Sequence, residues 1–230
     1  MTESATPATT HGGPALLDLG PIAQLTAGRL PRRLAQLMIG LVLYGASLAM
    51  MVRGNLGLAP WDVLHSGLIQ HVPLSLGQAV VVMSFVVLLL WLPLREMPGV
   101  GTIANAVVVG FAADGTLAVL DQPTALWAEV VLMIGGVALC GFATALYIGA
   151  QLGRGPRDGL MTGLHRRTGL SIRLVRTGIE VSVVLIGLVL GGALGLGTVI
   201  FALTIGPIAQ ALMPRFLVDL PLHERLRSSS

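Results

Sequence analysis

One eight-residue pattern occurs twice in this chain of 230 residues, and its two copies lie 96 positions apart. The pattern is Gly-x-x-Pro-x-Asp-x-Leu, and it fills residues 57–64 and 153–160. The same offset matches further residues without a gap, such as Gly110 with Gly206. Shared glycines alone would be weak support in a chain with 30 of them, but the complete pattern in one register predicts a duplicated unit. We call residues 96 positions apart repeat mates. The structural members of the motif are Gly57, Pro60, Leu64, Gly153, Pro156 and Leu160.

The composition indicates a membrane protein. Hydrophobic residues make up 54% of the chain, charged residues only 11%, and the mean hydropathy is +0.83, well beyond a soluble domain. A helix that crosses a bilayer needs about 20 apolar residues. Six segments meet or approach that length: 34–52, 77–94, 99–120, 126–149, 173–193 and 197–213.

Each copy of the motif lies between spans, in stretches 54–76 and 151–172, which are too short and too polar to cross. Proline suits the first turn of a helix, and an aspartate two positions later complements the positive end of the helix dipole. The motif therefore predicts short helices that start at Pro60 and Pro156 and end near Gln70 and Arg166. We expect these helices to be re-entrant or interfacial, because irregular backbone at membrane depth needs protein or a water-filled cavity around it.

The arginines predict the orientation. All 14 basic residues are arginine, and with six spans and a cytoplasmic N-terminus, every one except Arg53 falls on the cytoplasmic side. Both termini are thus predicted in the cytoplasm, with the protein in the cell membrane. Three spans per copy is an odd number, so the second copy is inverted relative to the first. Inverted repeats with interrupted helices recur in secondary transporters.

The predicted fold class is an all-α membrane protein with six transmembrane helices, arranged as two inverted three-helix repeats that each carry one short helix. The predicted domains are a disordered cytoplasmic tail, two membrane repeats and a second cytoplasmic tail. Their bounds are 1–30, 31–122, 123–213 and 214–230.

The duplicated motif and its three-span unit resemble the bacterial YczE/YyaS/YitT group of integral membrane proteins. The resemblance covers about residues 35–213. The YitT branch usually carries a soluble C-terminal domain, whereas only about 17 residues follow the last predicted span here, so the chain is more similar to the YczE branch. The resemblance implies a multi-pass membrane protein and names no solute.

Asp62 and Asp158 are the leading candidates for binding a solute or an ion. In one interpretation they approach the bilayer midplane from opposite sides and bind a cation or a proton, and in the other they only complement their helix dipoles. Glu180 lies inside the fifth predicted span, where a charge is costly. It either pairs with Arg176, four residues earlier on the same helical face, or acts as a gate or a proton-linked carboxylate.

Arg154 and Arg157 flank Pro156 beside a predicted helix N-terminus, so they could bind a carboxylate, phosphate or sulfate. Positive-inside topology and lipid headgroups are the alternative explanation of both arginines. Asp114, near the outer end of the third span, either reaches the interface or belongs to the site. His65 is expected to be satisfied or solvated.

No enzymatic motif occurs in the sequence, and the single cysteine, Cys140, has no neighbours that would form a metal site. We therefore expect no enzyme, no cofactor and no metal. Nucleic acid is not an expected partner, because no basic run is interleaved with aromatic residues. The predicted function is secondary transport of a small solute through the lipid bilayer, with a homo-oligomer possible. The alternative is a non-transporting accessory or sensor subunit that docks a partner protein.

Overall fold

The computed structural model describes residues 20–220, so the predictions made for residues 1–19 and 221–230 lie outside the described residues. Within 20–220 every regular element is an α-helix. The helices are α1 Pro21–Thr26, α2 Leu30–Gly54, α3 Pro60–Leu68, α4 Leu76–Leu94, α5 Val100–Val119, α6 Leu126–Gly149, α7 Pro156–Thr168, α8 Ile172–Val189 and α9 Leu196–Phe216.

Five of these helices are long and apolar enough to cross a membrane, namely α2, α4, α5, α6 and α9. Helix α8 corresponds to the predicted span 173–193, but it has 18 residues and carries Arg173, Arg176 and Glu180. All three charges fall within these 18 residues, whereas the longer α2 carries its three arginines near its two ends. The predicted all-helical class is confirmed for the described residues, with five candidate spans by length and composition.

The duplication is present in the backbone. The helices pair as α2 with α6, α3 with α7, α4 with α8, and α5 with α9, and each pair begins at repeat mates. The loops repeat as well: Gly57 has φ +128° and Gly153 has φ +129°, a region that L side chains rarely adopt. The short helices begin at Pro60 and Pro156, as the motif predicts. They end at Leu68 and Thr168, within two residues of the predicted ends.

Each copy of the motif loop is held by the other half of the chain. The amide of Gly101 donates to the carbonyl oxygen of Leu152 at 2.8 Å, and the amide of its mate Gly197 donates to the carbonyl oxygen of Leu56 at 2.7 Å. Leu56 and Leu152 are themselves repeat mates. The two motif loops therefore make the same contact, each with the opposite half of the chain.

Each short helix packs mainly against a helix of the other repeat. α2 and α6 pack against each other, with α5 against α2 and α9 against α6. The short helix α3 packs on α8 of the second repeat, and α7 packs on α4 of the first. One pair breaks this pattern, because α4 packs along α5 whereas α8 and α9 barely touch. The second half is therefore open where the first half is closed.

The described parts of the two predicted tails differ from expectation. Residues 1–30 were predicted to be disordered, but Pro21–Thr26 form α1, and Ala27 is buried with Val218 and Leu220. Helix α9 continues to Phe216, three residues beyond the predicted end of the second repeat. Apolar packing between the two ends of the chain, which the local sequence does not signal, accounts for this order.

Candidate solute-binding cavity

A cavity of about 530 Å³ opens between α8 and α9 and reaches the starts of both short helices. This volume falls in the range of small-molecule sites. The cavity is lined from α2, α3, α6, α7, α8 and α9, and its wall includes the first half of α8 and the last turns of α9. Most of the lining is apolar, with a few charged and aromatic groups.

The N-termini of both short helices meet at this cavity. Pro60 and Trp61 line it from the start of α3, and Arg157 and Asp158 line it from the start of α7. The N-terminus of a helix carries a partial positive charge from its free amide groups. Two such ends therefore contribute positive potential to the same wall.

Asp158 is held by a tyrosine of α6. The Tyr147 hydroxyl donates to Oδ2 of Asp158 at 3.0 Å. Asp158 lies in the first turn of α7, where a carboxylate complements the positive end of the helix dipole. Its side chain also lines the cavity.

Arg157 has a different environment. Its guanidinium lies 4.9 Å from the centre of the Trp61 ring, a distance at which the cation is attracted to the aromatic face. Among residues 20–220 no hydrogen bond and no ion pair within 4.0 Å involves this guanidinium. Arg157 therefore brings donors to the cavity wall that no protein acceptor satisfies.

Glu180 and Arg176 form the pair that their spacing predicts. Nε of Arg176 lies 2.9 Å from Oε1 of Glu180, and both side chains line the cavity. The Arg176 side chain is 45% exposed and that of Glu180 is 29% exposed, so the pair faces the opening. Because the two charges neutralise each other, Arg157 and Asp158 dominate the electrostatics deeper in the cavity.

The other three predicted site residues lie elsewhere. Asp62 is 1% exposed and pairs with Nδ1 of His65 at 3.0 Å, inside the protein. Asp114 accepts hydrogen bonds from the Gly77 amide at 2.8 Å and from the Ser75 hydroxyl, and so caps the start of α4. Arg154 donates to the Thr162 hydroxyl at 3.2 Å. None of the three lines the cavity.

The chain contains only two tyrosines, and sequence reasoning overlooked both. Tyr44 and Tyr147 line the cavity, and their rings meet edge to face with centroids 5.9 Å apart. The available signal was the position of both tyrosines inside long apolar segments. A buried hydroxyl there needs a partner, and Tyr147 finds it in Asp158.

A second, smaller cavity of about 50 Å³ touches the same four residues, Tyr44, Tyr147, Arg157 and Asp158. Its other walls come from α4 and α5, through Val80, Ser84, Asn105 and Val109. Their repeat mates all line the large cavity: Arg176, Glu180, Phe201 and Ile205. The two cavities are therefore repeat mates of each other, one large and one small.

The helices and the exposed apolar side chains, including Leu89, Leu92 and Leu203, define a multi-pass helical membrane protein. The chain belongs to the DUF6198 family, described as a family of unknown function, whose sequence pattern matches residues 31–214.

Three relatives agree with this assignment. The chain is 41% identical to an "uncharacterized protein" of Haemophilus influenzae, over 76% of this chain and 80% of the relative. It is 30% identical to the "uncharacterized membrane protein YczE" of Bacillus subtilis, over 76% and 83% of the two chains. It is 23% identical to YyaS of the same organism, over 76% and 90%. These matches confirm the predicted relationship to the YczE and YyaS proteins. No solved structure matches this chain significantly.

Proposed function

We propose that this protein is a secondary transporter that moves a small solute across the cell membrane by alternating access. The observation that carries the proposal is the pair of unequal cavities, about 530 Å³ and about 50 Å³, on either side of Arg157 and Asp158. A site that borders both of these cavities could be reached by a solute through one cavity at a time. In this proposal α8 is the sixth span, and α3 and α7 are re-entrant helices of inverted repeats.

The closed side is fastened by close contact between α4 and α5. A Cβ atom at Gly77 would clash with the carbonyl oxygen of Gly110, and Asp114 of α5 binds the first turn of α4. On the open side the mate of Gly110 is Gly206, and a Cβ atom there would meet nothing within 4 Å. Exchange of these two conformations between repeats would close α8 on α9 and release α4 from α5.

The side of the present opening follows from the arginines. Arg173 and Arg176 lie in the first turns of α8, and Arg215 lies in the last turn of α9. The positive-inside rule supports a cytoplasmic position for this end, so in our proposal the large cavity is the inward-open one and both termini are inside. The opposite state would open the small cavity to the outside.

Sided labelling tests the proposal without knowledge of the solute. The native cysteine is removed as Cys140→Ala, and single cysteines are placed by Ser84→Cys in the small cavity and Glu180→Cys, its mate, in the large one. An impermeant thiol reagent should label Glu180→Cys from the cytoplasmic side and Ser84→Cys from the outside. If Ser84→Cys reacts from neither side while Glu180→Cys is labelled, the protein does not alternate, and the accessory-subunit alternative is favoured.

Transport itself requires the solute. Untargeted comparison of metabolites in cells that lack or overproduce the protein should nominate it, and uptake into proteoliposomes should then depend on the wild-type protein. Thr177 and Gly206 are the repeat mates of Val81 and Gly110, which are in close contact between α4 and α5. In the Thr177→Cys/Gly206→Cys variant a disulfide should therefore form when α8 closes on α9. It should abolish uptake, and a reducing agent should restore it. Uptake that persists with the disulfide formed would contradict alternating access.

A further inference from the structure

We infer that the solute of this cavity is a small organic acid, with its anionic group on Arg157 and an apolar body along α8 and α9. The inference rests on the proposal that the cavity is the solute site, and it names the chemical class of that solute.

The unsatisfied donors of the cavity favour an anion. Glu180 is paired with Arg176, and the Asp158 carboxylate accepts a hydrogen bond from the Tyr147 hydroxyl. Arg157 and Asp158 are the remaining charges, and of these two only Arg157 has no hydrogen-bond partner among the described residues. A carboxylate or phosphate matches the planar fork of donors that a guanidinium offers.

The backbone adds to this preference. The cavity meets the N-terminal ends of α3 and α7. The aspartate in the first turn of each helix is bonded to another side chain, Asp62 to His65 and Asp158 to Tyr147. Helix N-termini stabilise anions and destabilise cations. The Trp61 ring holds the Arg157 guanidinium from one side, so its position is set before a ligand arrives.

The rest of the wall predicts the body of the solute. Ile179 of α8 lines the cavity together with Phe201, Ile205 and Met213 of α9, and Thr144 and Gln210 are polar members of the wall. The apolar side chains are in the majority, so they favour an apolar group over a sugar or a peptide backbone. An acid with a short aliphatic or aromatic body satisfies both regions.

Arg157 also lines the small cavity, where it lies beside Asn105 and Ser84. It would therefore remain at the site when the large cavity closes and the small one opens. A charged group accessible from both sides in turn is what a transporter needs to hold one end of its solute.

Three probes with the same phenylpropyl skeleton separate the solute classes: 3-phenylpropanoate, 3-phenylpropanol and 3-phenylpropylamine. Each is tested on the purified full-length protein, by the concentration-dependent rise in melting temperature that binding to the native state produces. The acid alone should raise the melting temperature of the wild type. Arg157→Gln should weaken apparent acid affinity by roughly tenfold or more, because a charge-assisted hydrogen bond is lost.

Two further variants make the result specific. Arg173→Gln removes another arginine of the second repeat that does not line the cavity, and it should bind the acid as the wild type does. Arg157→Lys keeps the charge without the planar fork and should bind with intermediate affinity. If Arg157→Gln proves unstable, Arg157→Lys still tests the role of the guanidinium.

The inference is overturned if the amine or the alcohol stabilises the wild type as well as the acid does, or if none of the three does. Equal acid affinity in Arg157→Gln and wild type would also overturn it. The sided-labelling result is independent of these outcomes. Labelling of Ser84→Cys from outside without acid binding would indicate a transporter of another class of solute. Acid binding without such labelling would indicate a binding cavity in a protein that does not alternate.

Discussion

Arg157 and Trp61 are repeat mates, and the guanidinium of the first lies 4.9 Å from the centre of the ring of the second. A residue and its mate can touch only where they lie close to the axis that relates the two repeats. This contact therefore brings the starts of α3 and α7 together. The same motif position carries a cation in one half and the aromatic face that holds it in the other.

Several further features meet near this axis. The two tyrosines, Asp158 and both unequal cavities all lie around the Trp61–Arg157 contact. In the proposed transport cycle, small differences in packing between the repeats change which cavity is open, without moving the site.

The motif glycines should be intolerant of any side chain. Gly57 and Gly153 combine positive φ with close contact to the other half: a Cβ atom would lie 2.8 Å from the Thr198 nitrogen and 2.9 Å from the Thr102 hydroxyl oxygen. We expect Gly57→Ala and Gly153→Ala each to cost on the order of 1–3 kcal/mol or more in stability, as a lower melting temperature in detergent.

The control for the glycine variants is Gly115→Ala. Gly115 lies in α5 with ordinary φ, and a Cβ atom there would meet nothing within 4 Å. Its melting temperature should be unchanged or slightly higher, since alanine favours a helix over glycine. Equal melting temperatures for all three alanine variants would show that the motif glycines are not needed for the cross-repeat contact.

The sequence predicts the fold better than it predicts the site. Matching sequence patterns at a fixed offset predict matching backbone conformation. Pro60 and Pro156 correctly predict the helix starts, because the effect of proline on the backbone is local. Tertiary contacts cannot be predicted in this way. Asp62 and Asp158 occupy the same motif position, yet the first pairs with His65 in the interior and the second faces the cavity.

Asp114 shows the same limit. Its position in an apolar segment predicts either an interfacial residue or a site residue. In the structure it caps the start of α4, and its partner Ser75 lies 39 positions earlier in the sequence. The partner of a capping side chain in another helix leaves no local pattern. The pair of Arg176 and Glu180 was predictable because both residues lie on one helix, four positions apart.

Substitution of the two motif aspartates should separate their roles. Asp158→Asn removes a negative charge from the cavity wall beside Arg157, so affinity for 3-phenylpropanoate should rise by up to roughly tenfold. Asp62→Asn weakens a buried interaction with His65, so the free energy of unfolding should fall by about 1–2 kcal/mol. The melting temperature should be lower and the acid affinity unchanged. Both quantities come from the same thermal titration. Lower acid affinity in Asp158→Asn would mean that this carboxylate assists binding, contrary to the assignment of Arg157 as the anion's partner.

The cap that Asp114 provides should control the balance between the two states. Asp114 joins α5 to the first turn of α4 through the Gly77 amide and the Ser75 hydroxyl. In the proposed transport cycle this junction holds the α4 side closed. Removal of a helix cap costs about 1 kcal/mol, which corresponds to about a fivefold change in a two-state equilibrium.

In the Cys140→Ala/Ser84→Cys background, Asp114→Ala should therefore raise outside labelling of Ser84→Cys about fivefold. It should reduce cytoplasmic labelling of the matching Glu180→Cys protein. Asp121→Ala removes an exposed acid from the loop that follows α5 and should leave both rates unchanged. Equal labelling rates with and without Asp114, in a protein that still folds, would mean that the contact between α4 and α5 does not control access.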